Sequence, residues 1–463
     1  MKKISQVVIA FCILFSGFSF AQHTVSYKVS GLKNSRAYLL SKYGSTFKIV
    51  DSCIATQGNI VFNHSASLPA GVYRIAFADS LFTDIILNHE NVRLSSHIST
   101  LSDSLKVLES KENQVYHEYW IISSHIQDTI DLISVAGNKI YEENGHKLTP
   151  ALDSMARKTY QLSAQLDQIT NQLIIKNPGL YVTKLLKAYV TPDWLAYKKT
   201  PGAKIYKNKN AFLKEHYFDN VDFSDSTLLY SEVFYVLCND YLSGFVNPET
   251  DTGYINAVDF ILGKAQPESP VYNYLLDLLV NTFEDTEWEE TFIHLVDNYL
   301  LKNTCTPDEH DKTLGERVAV MKQLKPGNKA PEIILNDIDG RPRSLAGIEA
   351  KVTLLVFWSS TCEHCEKVMP QLQHIYAGYH PLGLEILAIS ADTDKKSWVD
   401  AINRQGLKWI NVADLKGFQS PVIKAYNAFS TPTFFLLDHE KKIISHPYSP
   451  KAMMEGMEKA FGK

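Results

Sequence analysis

Residues Val352–Trp358 read VTLLVFW, a seven-residue run in which Thr353 is the only polar member. A run this short and this apolar reads as a buried strand, and the residues after it decide what the strand carries. They are SSTCEHCEKVMP, with Cys362 and Cys365 three apart and Glu363 and His364 between them. Glu366–Tyr379 then places Val368, Leu372, Ile375 and Tyr379 on one face of a predicted helix. Cys362 therefore falls between a strand end and a first helical turn, where partial positive charge and unpaired N–H groups stabilise a thiolate. Cys365, one turn further in, is shielded from solvent and able to reach back. That asymmetry suits an attacking thiol and a resolving thiol.

The flanking pattern predicts a mixed α/β domain over 325–463, opening at Lys325-Pro326-Gly327-Asn328. Strands are expected at Glu332–Leu335, Arg343–Leu345, Leu384–Ser390, Trp409–Val412 and Thr433–Leu437, with a last one at Lys442–His446 closing an antiparallel hairpin. Helices are expected at Lys395–Arg404 and Pro421–Tyr426.

Two unlike segments precede it. From residue 22 to 106, short alternating runs such as Thr24–Ser30 and Val72–Phe77, punctuated by Gly31, Gly44, Gly58 and Pro69-Ala70-Gly71, predict a β-sandwich-like domain. From 107 to 324 the period turns helical. Tyr160–Ile174 carries Leu162, Leu166, Ile169 and Leu173 on one face and stops at Asn177-Pro178-Gly179. Val271–Phe283 is the most apolar stretch, and Asn273, Asp277 and Asn281 give it one polar stripe, as in a buried helix of a soluble domain. His117, His125, His146 and His216 have no partner at metal-ligand spacing.

The chain opens MKKISQVVIAFCILFSGFSFAQ: Lys2 and Lys3, an apolar run Val7–Phe15, and small residues before Ala21. This is the pattern of a secretory signal peptide over 1–21 cut after Ala21, and the run is far short of the ~20 residues a membrane span needs. Cys12 follows Phe11 rather than a small residue, so no lipid anchor is expected. With 46 Lys+Arg against 51 Asp+Glu, and no long basic block, nucleic acid is a poor partner.

Of six cysteines, five remain after the leader, an odd number for an oxidising compartment. Cys53 and at least one of Cys238 and Cys305 are expected to be buried and inert, because their surroundings are apolar and not basic. A C-x-x-C pair holds a metal, staples a loop or cycles between dithiol and disulfide. Zinc needs a second ligand pair, which is missing, so no metal and no cofactor is expected. A permanent staple across four residues gains little loop-closure entropy. A peroxidase site of the peroxiredoxin type wants threonine three residues before the reactive cysteine; Ser359 stands there for Cys362 and Cys362 for Cys365.

WSSTCEHC, Pro370 five residues after the second cysteine, and Ser430-Thr431-Pro432 ahead of TFFLL together resemble a thioredoxin-fold active site. PGNKAPEIILNDIDGRPRSL and WVDAINRQGLKWINVAD are similar to the TlpA/ResA-like branch of extracytoplasmic thiol–disulfide oxidoreductases. The likeness covers under a third of the chain. The 22–106 segment, with SKENQVYHEYW after it, also resembles the β-rich leader of such envelope proteins. The resemblance implies Cys362 as nucleophile, Cys365 as resolving thiol, and a redox-active disulfide between them. Trp358 would flank the site, Glu363 and His364 would tune it, Pro370 would kink the helix, and Pro432 would be a cis-proline with Thr431 offering backbone hydrogen bonds to an extended substrate. It also implies protein thiols and disulfides of the cell envelope as substrates, a membrane dithiol donor, and a periplasmic location. A binding or chaperone module with a non-catalytic disulfide is the alternative.

Two positions depart from the pattern. The buried acid of thioredoxin corresponds to Val356, and a glutamate frequent in this branch corresponds to Val368. No buried carboxylate is then expected to move the Cys365 proton, and His364, Glu363 or water must serve instead.

Overall fold

The computed structural model describes residues 22–65, 68–77, 80–200, 202, 205–303 and 309–462. The segment read as a leader, with Cys12, lies outside these residues, as does Cys305. Among the described residues no helix is long and apolar enough to cross a membrane. The chain divides into two compact units, one up to Leu278 and one from Leu279.

The first unit begins with eight strands: β1 (Gln22–Ser30), β2 (Ser35–Tyr43), β3 (Thr46–Ala55), β4 (Asn59–Ser65), β5 (Gly71–Phe77), β6 (Leu81–Leu87), β7 (Val92–His97) and β8 (Lys106–Glu109). They form two four-stranded sheets, ordered β4-β1-β7-β8 and β3-β2-β5-β6. Alternate residues of both sheets, among them Val25, Tyr27, Phe62, Leu39, Tyr73 and Ile75, fill one shared core, as in a sandwich. Tyr27 is buried there because its hydroxyl bonds Thr83 at 3.0 Å and Ser96 at 2.7 Å. β8 was not among the expected strands and lies across the 106/107 boundary; only four residues long and largely exposed, it leaves little apolar alternation to read.

Two long helices follow, Lys111–Glu143 and Pro150–Lys176. The stripe expected on the second is only half-buried; of Leu162, Leu166, Ile169 and Leu173, only Leu173 is fully enclosed. Shorter helices at Tyr181–Tyr189, Val233–Phe245 and Asp251–Leu262 are better buried. Glu112, at the start of the first long helix, is 1 % exposed. Its carboxylate accepts the backbone N–H groups of Tyr181 and Val182, both at 2.8 Å, and so caps a helix whose own N-cap, Leu180, offers no side-chain bond.

The second unit holds helices at Glu289–Leu295 and Glu309–Gln323 and then a seven-stranded sheet. Its strands are β9 (Ile334–Asp337), β10 (Pro342–Ser344), β11 (Val352–Trp358), β12 (Leu384–Ser390), β13 (Ile410–Ala413), β14 (Thr433–Leu437) and β15 (Ile443–Ser445), ordered β10-β9-β13-β12-β11-β14-β15. β11 is an interior strand, next to the middle one, and is buried throughout, parallel to β12 and antiparallel to β14. Its side chains alternate between two cores: Leu354, Val356 and Trp358 pack with the helices on one face, and Leu355 and Phe357 pack with Ile423, Tyr426 and Phe435 on the other. The fold is the α/β thioredoxin-like arrangement expected, with one addition. The chain does not end on a hairpin: Pro450–Phe461 is a helix that buries Met453 and Met457.

One polar cluster inside this unit ties the helix Glu309–Gln323 to the sheet's loops. Arg317 donates to Glu284 Oε1 at 2.6 Å, Asp285 Oδ1 at 2.6 Å and Asn427 Oδ1 at 2.9 Å. The Lys325 boundary thus falls downstream of a residue bound to the segment leading into Thr431 and Pro432.

Candidate active site

The site is built where β11 ends. The chain leaves the sheet at Trp358, crosses Ser359–Thr361, and enters the helix Glu363–Tyr379 with Cys362 as its N-cap. The Cys362 sulfur accepts the Cys365 backbone N–H at 3.1 Å, which satisfies one of the free amides of the first turn. Cys362 and Cys365 are joined as a disulfide, with Cα atoms 5.2 Å apart. Cys362 is partly exposed, whereas Cys365 is 1 % exposed and packs in the core with Trp358 and Met369. One sulfur is reachable and the other is not.

Thr431 and Pro432 face this pair. Their peptide bond is cis, and the Thr431 carbonyl oxygen lies 3.3 Å from Cys362 Sγ. Glu363 and His364 are exposed on the first turn. Glu366 is exposed too and pairs with Arg404 at 3.0 Å. The helix runs on through Pro370. Trp358 is enclosed beneath the site rather than lining it, and Val356 is buried in the same cluster.

The expectation concerned a carboxylate serving Cys365; a buried carboxylate does lie near the site, but it is placed against other residues. Asp392, 5 % exposed, lies just beyond β12. It accepts the Ser360 backbone N–H on both oxygens at 3.1 Å, the Ser360 hydroxyl at 2.7 Å, the Ser359 hydroxyl at 3.1 Å and the Ser390 hydroxyl at 2.7 Å. Apart from the bond to Ser390, its bonds go to the loop before Cys362, and none goes to Cys365. The signal was present in strand pairing: with β11 and β12 parallel and Trp358 opposite Ser390, residues 360 and 392 extend side by side.

The remaining described cysteines differ from each other. Cys238 is 1 % exposed, and burial pushes its thiol up to about 12. Cys53 was expected to be buried and is instead partly exposed, because β3 is an edge strand whose outer residues meet solvent. Burial of its inner side still raises the thiol above its ordinary value. After mild reduction, a small alkylating reagent at neutral pH is expected to modify Cys362 first, Cys53 much more slowly and Cys238 only on unfolding. Peptide mapping over time checks this; Cys53 keeping pace with Cys362 would contradict it.

Comparison with known proteins fits this geometry. The AhpC/TSA family matches residues 326–446, and two domains of unknown function match 23–116 (DUF4369) and 204–320 (DUF5106). The thiol–disulfide oxidoreductase ResA of Bacillus thuringiensis is 32 % identical over 123 residues, covering 27 % of this chain and 69 % of that protein. ResA of Geobacillus thermodenitrificans is 33 % identical over 135 residues, covering 28 % and 76 %. The chain belongs to the ResA-like thiol–disulfide oxidoreductase family. A thioredoxin-like protein from Bacteroides caccae covers 57 % of this oxidoreductase and 96 % of its own chain at 21 % identity and a TM-score of 0.46. The thioredoxin domain of a thiol–disulfide oxidoreductase from Bacteroides vulgatus covers 29 % and 97 % at 29 % identity and a TM-score of 0.28.

Proposed function

We propose that the protein is an extracytoplasmic oxidoreductase that exchanges two electrons with protein disulfides through Cys362 and Cys365, in the reductase or isomerase direction. The observation that carries this is the placement of one accessible sulfur at a helix N-terminus with a second sulfur buried directly behind it. In the dithiol state the Cys362 thiolate attacks a substrate disulfide sulfur; the substrate S–S bond breaks and the leaving sulfur takes up a proton. Cys365 then gives up its proton and attacks Cys362, which breaks the mixed disulfide and releases the second substrate sulfur. The enzyme ends oxidised, and the substrate has gained two electrons and two protons. Substrate backbone would lie along Thr431, whose carbonyl already borders the reactive sulfur.

The leader pattern supports a periplasmic location, and the oxidising poise there implies a membrane dithiol donor that returns the pair to the reduced state. His364 adds partial positive charge near Cys362 and Glu363 opposes it; both are exposed and screened. A potential between the thioredoxin and disulfide-isomerase values follows, on the order of −250 to −180 mV. Equilibration of the full chain with glutathione mixtures at pH 7, followed by mass spectrometry of the Cys362–Cys365 peptide, measures it. A value near −120 mV, that of a strong oxidant, would overturn the reductase or isomerase direction. A pair that never equilibrates would leave only a binding module.

A further inference from the structure

Asp392 is a buried carboxylate that the exchange chemistry does not use. Among the described residues no lysine, arginine or histidine pairs with it; its partners are one backbone amide and three serine hydroxyls. An acceptor-only group is well satisfied by such donors, yet its charge stays uncompensated and is poorly screened by solvent. It sits one hydrogen bond and two residues from Cys362. The Ser359–Thr361 loop it holds also makes the turn in which Cys362 N–H bonds the Ser359 carbonyl at 3.2 Å, so the same group fixes where the N-cap sulfur stands.

We propose that Asp392 is a positioning residue that holds the Ser359–Ser360 loop and, through its fixed negative charge, keeps the Cys362–Cys365 pair on the reducing side. The proposal rests on the oxidoreductase reading above. A negative charge beside a thiol disfavours the thiolate, and the disulfide, which carries no charge, is spared that penalty. Other charges on the first turns of its own helix are Glu363, His364, Glu366 and Lys367, with Glu366 paired to Arg404; the facing loop brings the Thr431 carbonyl dipole. These four side chains are exposed and screened by solvent, whereas Asp392 is enclosed, so its charge is the least screened of the set.

Asp392→Asn in the full chain separates charge from shape. The amide oxygen still accepts the Ser360 N–H, and the new NH₂ donates to a serine hydroxyl, so the loop is retained while the charge is gone. The Cys362 thiol titration, followed by alkylation rate against pH, is expected to move down by about one pH unit. The equilibrium with glutathione should move about tenfold toward the dithiol, equivalent to about 30 mV less negative. Ser360→Ala, which removes one donor and leaves the charge, should shift neither quantity by more than about twofold. If Asp392→Asn alters thermal stability but leaves both the titration and the equilibrium where they were, the residue is structural only and the proposal falls. If Ser360→Ala shifts both quantities as far as Asp392→Asn does, loop position and not charge sets the potential, and the proposal again falls. Wild-type protein measured in parallel keeps the two readings apart: failure of its own pair to equilibrate removes the oxidoreductase reading and this proposal with it.

Discussion

Cys365→Ser protein is expected to accumulate as covalent adducts through Cys362, and Cys362→Ser protein to accumulate none. The reason is geometric. The first sulfur meets a substrate because it is the partly exposed N-cap, and the second resolves the adduct because it lies one helical turn behind, 1 % exposed and in bonding position. With the resolving thiol gone, the mixed disulfide has no internal partner and persists until an external thiol arrives. With the attacking thiol gone, the buried sulfur has no path to a protein disulfide. Turnover of a protein disulfide should drop by at least about 10³-fold in either variant, since two groups acting as a unit lose nearly everything when one is removed. Non-reducing gels of cells expressing each variant, with mass spectrometry of captured bands, check the trapping. Adducts of equal yield on Cys362→Ser would reverse the assignment of the two thiols.

Arg317→Leu should lower the stability of the second unit by roughly 2–3 kcal/mol, or about 4–12 °C in melting temperature for a unit of this size. The Arg317 side chain is 14 % exposed and bonds Glu284, Asp285 and Asn427 together; Asp285 is open to solvent, but Glu284 and Asn427 are partly buried and lose this donor. The loss also frees Asn427, which stands at a φ of +48° four residues before Thr431. KM for a protein substrate should therefore rise more than kcat falls. A fragment from Lys325 should still melt cooperatively, because both faces of its sheet are covered from within, but below a fragment from Leu279 that keeps Arg317, Val320 and Leu324. Equal melting points for the two fragments would show that the preceding helix adds nothing. A Lys325 fragment that never folds would place that helix inside the same core.

The thioredoxin-like domain was legible because its central strands are buried on both faces. Val352–Trp358, Leu384–Ser390 and Thr433–Leu437 match the expected spans to the residue, since each is a mostly apolar run with clear edges. The cysteines were legible because a strand end and a helix start bracket them. Less readable was whatever depends on partners distant in sequence. Pro450–Phe461 had a start signal in Ser449-Pro450, whose serine caps Ala452 at 3.2 Å, but its buried face is two methionines around Gly456. Asp392 carries no motif of its own in the sequence; only the pairing of β11 with β12 brings it beside Ser360. The exposure of Cys53 depends on β3 being at a sheet edge, which alternation within one strand does not encode.

Glu112 imposes an order of assembly. The helix Tyr181–Tyr189 takes its cap from a residue about 70 positions earlier, fixed where the sandwich gives way to the first long helix. During synthesis from the N-terminus the cap emerges before the helix it serves, so the later element docks onto a finished site. The dependence also runs backwards: the apolar core of the strands reaches no further than Val107, but the Asn113 side chain accepts the Ile86 N–H at 2.8 Å and donates to the Ile86 carbonyl at 2.7 Å, so the first long helix in turn holds β6. A middle segment produced without the sandwich would keep Glu112 but lose Asn88, whose side-chain amide donates to the same carboxylate at 2.7 Å and helps hold it in place for the two amides.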